Sequence, residues 1–361
     1  MTENAFKVCY VVAYRDPDYV RTRTLRAAIL RVVNCELIDA TSQKRGLLRY
    51  IDSAWKTLKA RIHDHPDIYI LGFRGHEIFW LIRLITIGKP LIFDEFMSPT
   101  DALLSEGKAG NVGRIAGAIT YPLEWLCLRL SSRCLTDTML HKEFIARRFG
   151  VPKSRIDVVY VGASDVGVAP PTPVDGEKPL SVLFYGTFLP LHGVDVILRA
   201  CQIVADKPIE FHLIGGKGKS LTEFRKLLDE LAPGNVEHHA WVDFSELQKN
   251  IIPHADLCLG GPFGGTPQAR RVITGKTFQF LAQGKPTVVG RIDEPTGFVD
   301  RQNCLLVNQA DPESLGAAIE WAFENRHRLS DIGKSGRKLF EERYSNEALA
   351  RQLEPALRAV L

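Results

Sequence analysis

FYGTFLPLHGVDVILRA, residues 184–200, joins a buried apolar run to a helical one through a loop bounded by Gly186 and Gly193. The segment SVLFYGT (181–187) has the length and the aromatic and β-branched content of a sheet strand. From Gly193 onward the apolar residues recur with helical spacing. A glycine at a strand's end lets an anion approach the backbone, and a helix start offers unpaired N–H groups and a partial positive charge. Strand, glycine loop and helix in that order open a doubly wound parallel sheet with an anion site at its first turn.

The same rhythm extends in both directions. Downstream, IEFHLIGG (209–216), VEHHAW (236–241), ADLCLGG (255–261) and PTVVGR (286–291) read as strands. Helices are expected near 193–205, 219–231, 245–252, 275–284, 311–325 and 329–342. Upstream, ASDVGVAPPTPVDGEKP (163–179) is too rich in Pro, Gly and Asp for a regular element and reads as a linker. Before it, FKVCYVVA (6–13), DIYILGF (67–73), KPLIFDEF (89–96), RCLTD (133–137) and IDVVYVG (156–162) read as strands, with helical segments such as 20–33 and 141–149 between them.

The fold class expected is therefore α/β, with two Rossmann-like doubly wound parallel-sheet domains facing across a cleft. The boundaries are 1–165 for the first domain, 166–179 for the linker and 180–345 for the second. A last helix, 346–361, exceeds the second sheet's needs and is expected to pack on the first domain. A chain of 361 residues is long enough for two such cores.

Net charge is +4 but unevenly placed: residues 1–165 carry +6 and the remainder −2, and Arg21 to Arg61 holds ten basic against three acidic side chains. That basic face is either simply solvated or a peripheral contact for anionic lipid. No nucleic-acid partner is expected. EIFWLIRLI (77–85) and ITYPLEWLCLRL (119–130) mix aromatics with arginine and read as buried helices with snorkelling arginines, a membrane surface being the alternative. Seven cysteines form no paired or metal spacing, the N-terminus lacks a signal-peptide pattern, and no run is long and apolar enough to span a bilayer. A cytoplasmic location, with peripheral attachment at the inner face of the membrane as an option, is the expectation.

Three further pieces follow the Gly186 loop in order: LIGGKGK (213–219), HADLCLGGPFGGTPQARR (254–271) and VITGKTFQFLAQGKPTVVG (272–290). With the tail DEPTGFVDRQNCLLVNQADPESLGAAI and the first-domain stretch CLTDTMLHKEFIARRFGVPKSRIDVVYVGAS, the chain resembles glycosyltransferase family 4, the group 1 glycosyltransferases of GT-B fold. The resemblance implies a hexosyltransferase-like enzyme of the kind used in polysaccharide biosynthesis. It would move a sugar from a nucleotide-diphosphate sugar to a glycan or lipid-linked acceptor, with retention, no metal in the site and no cofactor beyond the donor.

On that resemblance the second domain holds the donor through Gly186, Thr187, His192, Gly215, Gly264, Gly265, Thr266, Arg271, Lys276 and Gln279. Relatives often carry an arginine where Thr187 stands, a lysine at His192 and two glutamates where this chain has Arg271 and Gln279. Lys276, a cation at a helix start where cations are disfavoured, is the expected diphosphate contact. In the first domain, Asp94 and Glu95 stand near the place of the family's histidine, and His76 is a second acid–base candidate; these three are the catalytic candidates. Arg74 and Ser98 are expected on the acceptor side. The departures at Thr187, Arg271 and Gln279 leave two alternatives, an inactive binding or partner subunit and a nucleotide-sugar epimerase.

Overall fold

The computed structural model describes residues 5–105, 110–169, 178–231, 233–239 and 241–361. They form two compact units: Met1–Ser164 with Tyr344–Leu361, and Asp165–Arg343. Each is built on a six-stranded sheet in which every pairing is parallel.

In the first unit the elements are β1 (Phe6–Val11), α1 (Val20–Ile29), β2 (Cys35–Asp39), α2 (Leu48–His63), β3 (Ile68–Leu71), α3 (Phe79–Ile85), β4 (Leu91–Asp94), α4 (Pro99–Ser105), α5 (Gly110–Leu130), β5 (Arg133–Thr136), α6 (Met139–Phe149) and β6 (Ile156–Val158). The strand order is β2-β1-β3-β4-β5-β6. The central strands β1, β3 and β4 are buried along nearly their whole length, as parallel strands covered by helices on both faces must be. One face carries α1, the other α2, α3, α5 and α6.

The second unit comprises β7 (Leu180–Gly186), α7 (Val194–Ile203), β8 (Ile209–Gly215), α8 (Gly218–Leu231), β9 (Val236–His239), α9 (Phe244–Glu246), β10 (Leu257–Leu259), α10 (Gly275–Ala282), β11 (Thr287–Gly290), β12 (Leu305–Val307), α11 (Pro312–Glu324) and α12 (Arg326–Arg343). Its order is β12-β11-β10-β7-β8-β9. The chain order reverses between β7 and β10, and the loops leaving those two strands are where an open α/β sheet takes its ligand. A final helix, α13 (Asn346–Arg358), belongs to the first unit, where Leu349, Leu353 and Leu357 pack with Val8, Tyr10 and Leu25.

Two strands have no counterpart in the pattern read from the sequence, β2 and β12. Both lie at sheet edges; β12 has only three residues, and CELID is half-exposed and charged, so it lacks the apolar run that marks the central strands. The helix expected over 245–252 is a single helical turn, α9, followed by wider and tighter turns. Of the expected linker, residues 170–177 lie outside the described residues. Residues 165–169 are held on the second unit: Arg337 pairs with both oxygens of Asp165 at 2.8 and 2.7 Å, and Ala169 N–H donates to Gln283 O.

Candidate functional site

The loop leaving β7 begins at Gly186, whose φ of +156° and crowded surroundings suit glycine. A Cβ there would sit 3.2 Å from the His192 ring and 3.6 Å from Lys276 Cε. The loop ends at Gly193, with φ +64°, where a Cβ would lie 2.4 Å from the amide nitrogen of Gly264. Gly264 is equally confined: its N–H donates to Leu191 O at 3.1 Å, and a Cβ would meet Pro190 O at 2.1 Å. Glycines thus let the loops after β7 and β10 lie backbone against backbone. Behind them Gly215 packs on Gly186, and the N–H of Gly216 donates to Gly186 O at 2.8 Å.

Lys276 enters this junction from the first turn of α10 and is 7% exposed. Its ammonium lies 4.9 Å from the centre of the Phe184 ring and makes no ion pair with any described residue. Burial alone pushes its pKa down to about 7. The His192 imidazole is held well below its usual range by burial and then by Lys276, and its Nδ1 is buried and unpaired. A buried lysine with no carboxylate and a neutral histidine, between two closely packed glycine loops, form a site that an anion would complete.

Gln279 lies one turn along α10, on the same side as Lys276, and its Oε1 accepts the Tyr185 hydroxyl beside Gly186. Its amide N–H groups remain for other acceptors. Thr187 is half-buried, and its carbonyl accepts from Ser220. Gly265 is exposed; Thr266 accepts the Ala269 N–H at 3.1 Å and so ties the turn that ends at the half-buried Arg271. Arg270 in that turn borders a concavity of about 650 Å³ with Arg291, Asp293 and Gln309. Gly186, His192, Gly215, Gly264 and Lys276 are therefore brought together, while Gly265, Thr266 and Arg271 form the loop beside them.

In the first unit the candidates separate into two roles. Asp94, at the end of β4, is 1% exposed and accepts from Arg21 Nε and Nη2, at 3.1 and 2.7 Å to Oδ1. Arg21 in turn donates Nη1 to Val159 O and Tyr160 O at 2.6 and 3.0 Å. The pair is fully buried and ties α1, β4 and the chain after β6 together. Burial raises the Asp94 carboxyl and Arg21 opposes that rise. This pairing is structural, and it sets Asp94 apart from the other two catalytic candidates.

His76 and Glu95 do meet: Nε2 lies 2.9 Å from Oε2. His76 sits in the single turn Gly75–Glu77 after β3 and packs edge-on against Phe93. A third member, Glu124 of α5, is hidden in the apolar stretch ITYPLEWLCLRL; its one sequence signal is a lone acid on an otherwise apolar helix. Its Oε2 accepts Thr100 N–H at 3.0 Å. Ser98 is buried, accepts Asp101 N–H and also bonds to Glu124, so it braces this cluster. Arg74 points away into an exposed pair with Glu77 at 2.8 Å.

Burial pushes the Glu95 carboxyl up to about 8, and burial with the neighbouring Glu95 takes Glu124 to about 7. Burial lowers the His76 pKa to about 4, so the imidazole is neutral. His76 Nδ1, Glu95 Oε1 and Glu124 Oε1 are buried without a hydrogen-bond partner. Two carboxyls and an imidazole so close can share a proton or hold a divalent cation. His212, Glu237 and His239, on the outer strands β8 and β9, form a second, half-exposed group able to hold a cation.

Residues 179–325, which contain the whole Gly186–Lys276 site, match the family described as glycosyl transferases group 1. No curated protein matches the chain in sequence. Among solved structures, Anabaena HepE in complex with UDP and glucose is 12% identical over 98% of this chain and 100% of that one, with a TM-score of 0.69. Sucrose-phosphate synthase from Thermosynechococcus elongatus is 16% identical over 98% of each chain, TM-score 0.69. The lipopolysaccharide outer core galactosyltransferase WaaB is 15% identical over 99% of this chain and 100% of that one, TM-score 0.64. At these identities the likeness is one of fold, and it is to two-domain proteins with Rossmann-like sheets.

Proposed function

We propose that the chain is a group 1 glycosyltransferase that moves a sugar from a nucleotide-diphosphate sugar to a hydroxyl of a glycan or lipid-linked acceptor. The second unit binds the donor. Its diphosphate lies against Lys276 and the backbone N–H groups of the Gly186 and Gly264 turns, with His192 donating a hydrogen bond and Gln279 facing the ribose. Protein cations and N–H groups then carry the charge of the leaving diphosphate, so no metal ion is required between them. Retention at the anomeric carbon is the outcome implied by the family resemblance. The observation that carries the donor assignment is Lys276, a buried cation without an anion.

The first unit handles the acceptor. The acceptor hydroxyl, on entering the cluster and uncovering the buried Nδ1 of His76, gives its proton to that nitrogen, and the imidazole passes its Nε2 proton to the ionised form of Glu95. Glu124 and Ser98 hold Glu95 in place. A carboxyl with a pKa near 8 is matched to proton transfer at neutral to mildly alkaline pH. Asp94 is assigned to structure.

Neighbouring HepE structures hold UDP or UDP-glucose, which makes uridine-diphosphate sugars the first donors to test. Released nucleotide is to be assayed across a panel of nucleotide sugars, with and without glycan and lipid acceptors. Acceptor-dependent release is expected; conversion of the donor without any acceptor would point to epimerisation instead. Lys276→Ala should weaken binding of the nucleotide diphosphate by about 1–3 kcal/mol, the usual loss for a charge-assisted contact. Calorimetry reads this directly, and unchanged affinity removes Lys276 from the site.

The same lysine sets a pH dependence. The free ammonium has a pKa of about 7, and a bound diphosphate raises it, so binding takes up a proton above that pH. Affinity for a nucleotide sugar, whose phosphates do not titrate in this range, should be level below pH 7. It should then fall by up to about tenfold per unit as pH rises. Lys276→Ala should flatten the profile.

A further inference from the structure

We propose that His212, Glu237 and His239 form a binding site for a transition-metal dication of the zinc kind on the rim of the second unit's sheet. Strand pairing assembles the set. β8 and β9 run parallel with His212 opposite Glu237, so these two side chains leave the same face. His239, two residues beyond Glu237 on β9, returns to that face because side chains alternate along a strand. β9 is the outermost strand, and the three side chains are 30, 64 and 38% exposed, so an ion reaches them from solvent.

The spacing suits a metal better than a hydrogen-bonded network. Glu237 Oε2 lies 3.3 Å from His212 Nδ1 and 3.4 Å from His239 Nε2. Ligand atoms about 2.0–2.1 Å from a tetrahedral zinc stand roughly 3.3–3.4 Å apart, the edge of that tetrahedron. The three ligand atoms lie within 4.8 Å of one another, so small side-chain rotations close them around one ion. Neither contact is aligned as a hydrogen bond, and among the described residues none of the three side chains has another polar partner.

The donor set selects the ion. Two imidazoles and a carboxylate suit zinc, cobalt or nickel, whereas magnesium and calcium take sets of oxygens. Glu210, exposed and two residues before His212 on the same face, adds to the negative charge of that rim. An ion held there joins the edge strand to its neighbour. Between the ligands, His238 points to the opposite face, packs against Phe188 and Phe224, and donates from Nε2 to Gly215 O at 3.0 Å. Gly215 in turn packs on Gly186, so the metal steadies the strand that braces the glycine turn. The metal site itself stands on β8 and β9 alone and does not depend on the donor reading.

The test is equilibrium dialysis of the full chain, free of any histidine tag, against Zn2+ and separately against Mg2+, with bound metal measured by elemental analysis. One Zn2+ per chain is expected, and Mg2+ in excess should not displace it. The double substitution His212→Gln with His239→Gln should weaken Zn2+ binding by about 100-fold or more, since loss of an outer-shell partner alone costs up to that much. The milder Glu237→Gln should weaken it in the same direction, and Glu95→Gln should leave it unchanged. Zn2+ should also raise the unfolding temperature of the unmodified protein and not that of the double variant. Absence of stoichiometric Zn2+ uptake overturns the proposal, as does undiminished binding by the double variant. Loss of binding in Glu95→Gln assigns the ion to the His76 cluster and overturns it equally.

Discussion

Arg21→Met is expected to destabilise the first unit by about 3–5 kcal/mol, because it leaves the Asp94 carboxylate buried without its partner. The side chain is fully buried, and its guanidinium makes bonds to Asp94, Val159 and Tyr160. Methionine fills most of the volume but supplies none of the donors. Asp94→Asn should also destabilise, since it weakens the charge that compensates Arg21. Replacing both members with apolar residues of similar size should recover part of the loss, because a buried pair is dearer to break than to replace. Urea unfolding followed by circular dichroism reads the effect as a shift of the transition belonging to the first unit; two units make a single two-state fit inappropriate. A shift below about 1 kcal/mol, the value typical of an exposed pair, would show that the buried geometry is wrong. Were Asp94 the base, Asp94→Asn would instead abolish turnover at unchanged stability.

Glu95→Gln is expected to lower turnover by roughly 100- to 10,000-fold, the range for loss of a general base, with donor affinity nearly unchanged. Glutamine copies the protonated, inactive form of Glu95 and keeps a hydrogen bond to His76. The defect should therefore depend on pH in a defined direction. In the unmodified protein kcat/KM should rise with pH through about 8 as Glu95 ionises; in the variant it should be low and flat. The gap closes toward acid pH, where both carry a neutral group. Equal pH profiles would move the proton elsewhere, and a large fall in donor affinity would show that the substitution had disturbed more than the acceptor side. Stability has its own sign. The folded state holds a proton on Glu95 that the unfolded chain releases near its usual carboxyl pKa, so this group's contribution declines as pH rises from about 4.5 toward 8. The Glu95→Gln substitution should remove that dependence.

The sheets are legible in the sequence where physics writes them plainly. Strands β3 and β4 are buried along their whole length and β1 and β7 along most of theirs, so their sequences are largely apolar runs. β2 and β12 are edge strands whose partners supply the order that their own residues do not announce. The glycines of the loops after β7 and β10 are legible for a similar reason. Gly193 and Gly264 answer to a backbone approach that a Cβ would block. Pairing across distance is not legible in this way. Arg21 and Asp94 are 73 positions apart, and Glu124 looks like one more acid on a helix until folding sets it beside Glu95. The segments 77–85 and 119–130, expected to be buried, turn Trp80, Leu84 and Ile119 outward. Helical periodicity gives the width of an apolar stripe but not its direction.

The most direct test of the account is a crystal structure of the protein with a nucleotide diphosphate, supported by titration of the same nucleotide. The diphosphate should lie within hydrogen-bond reach of Lys276 Nζ and of the amides that follow Gly186 and Gly264. A nucleotide bound elsewhere, or one that leaves Lys276 without an anion, would contradict the donor site.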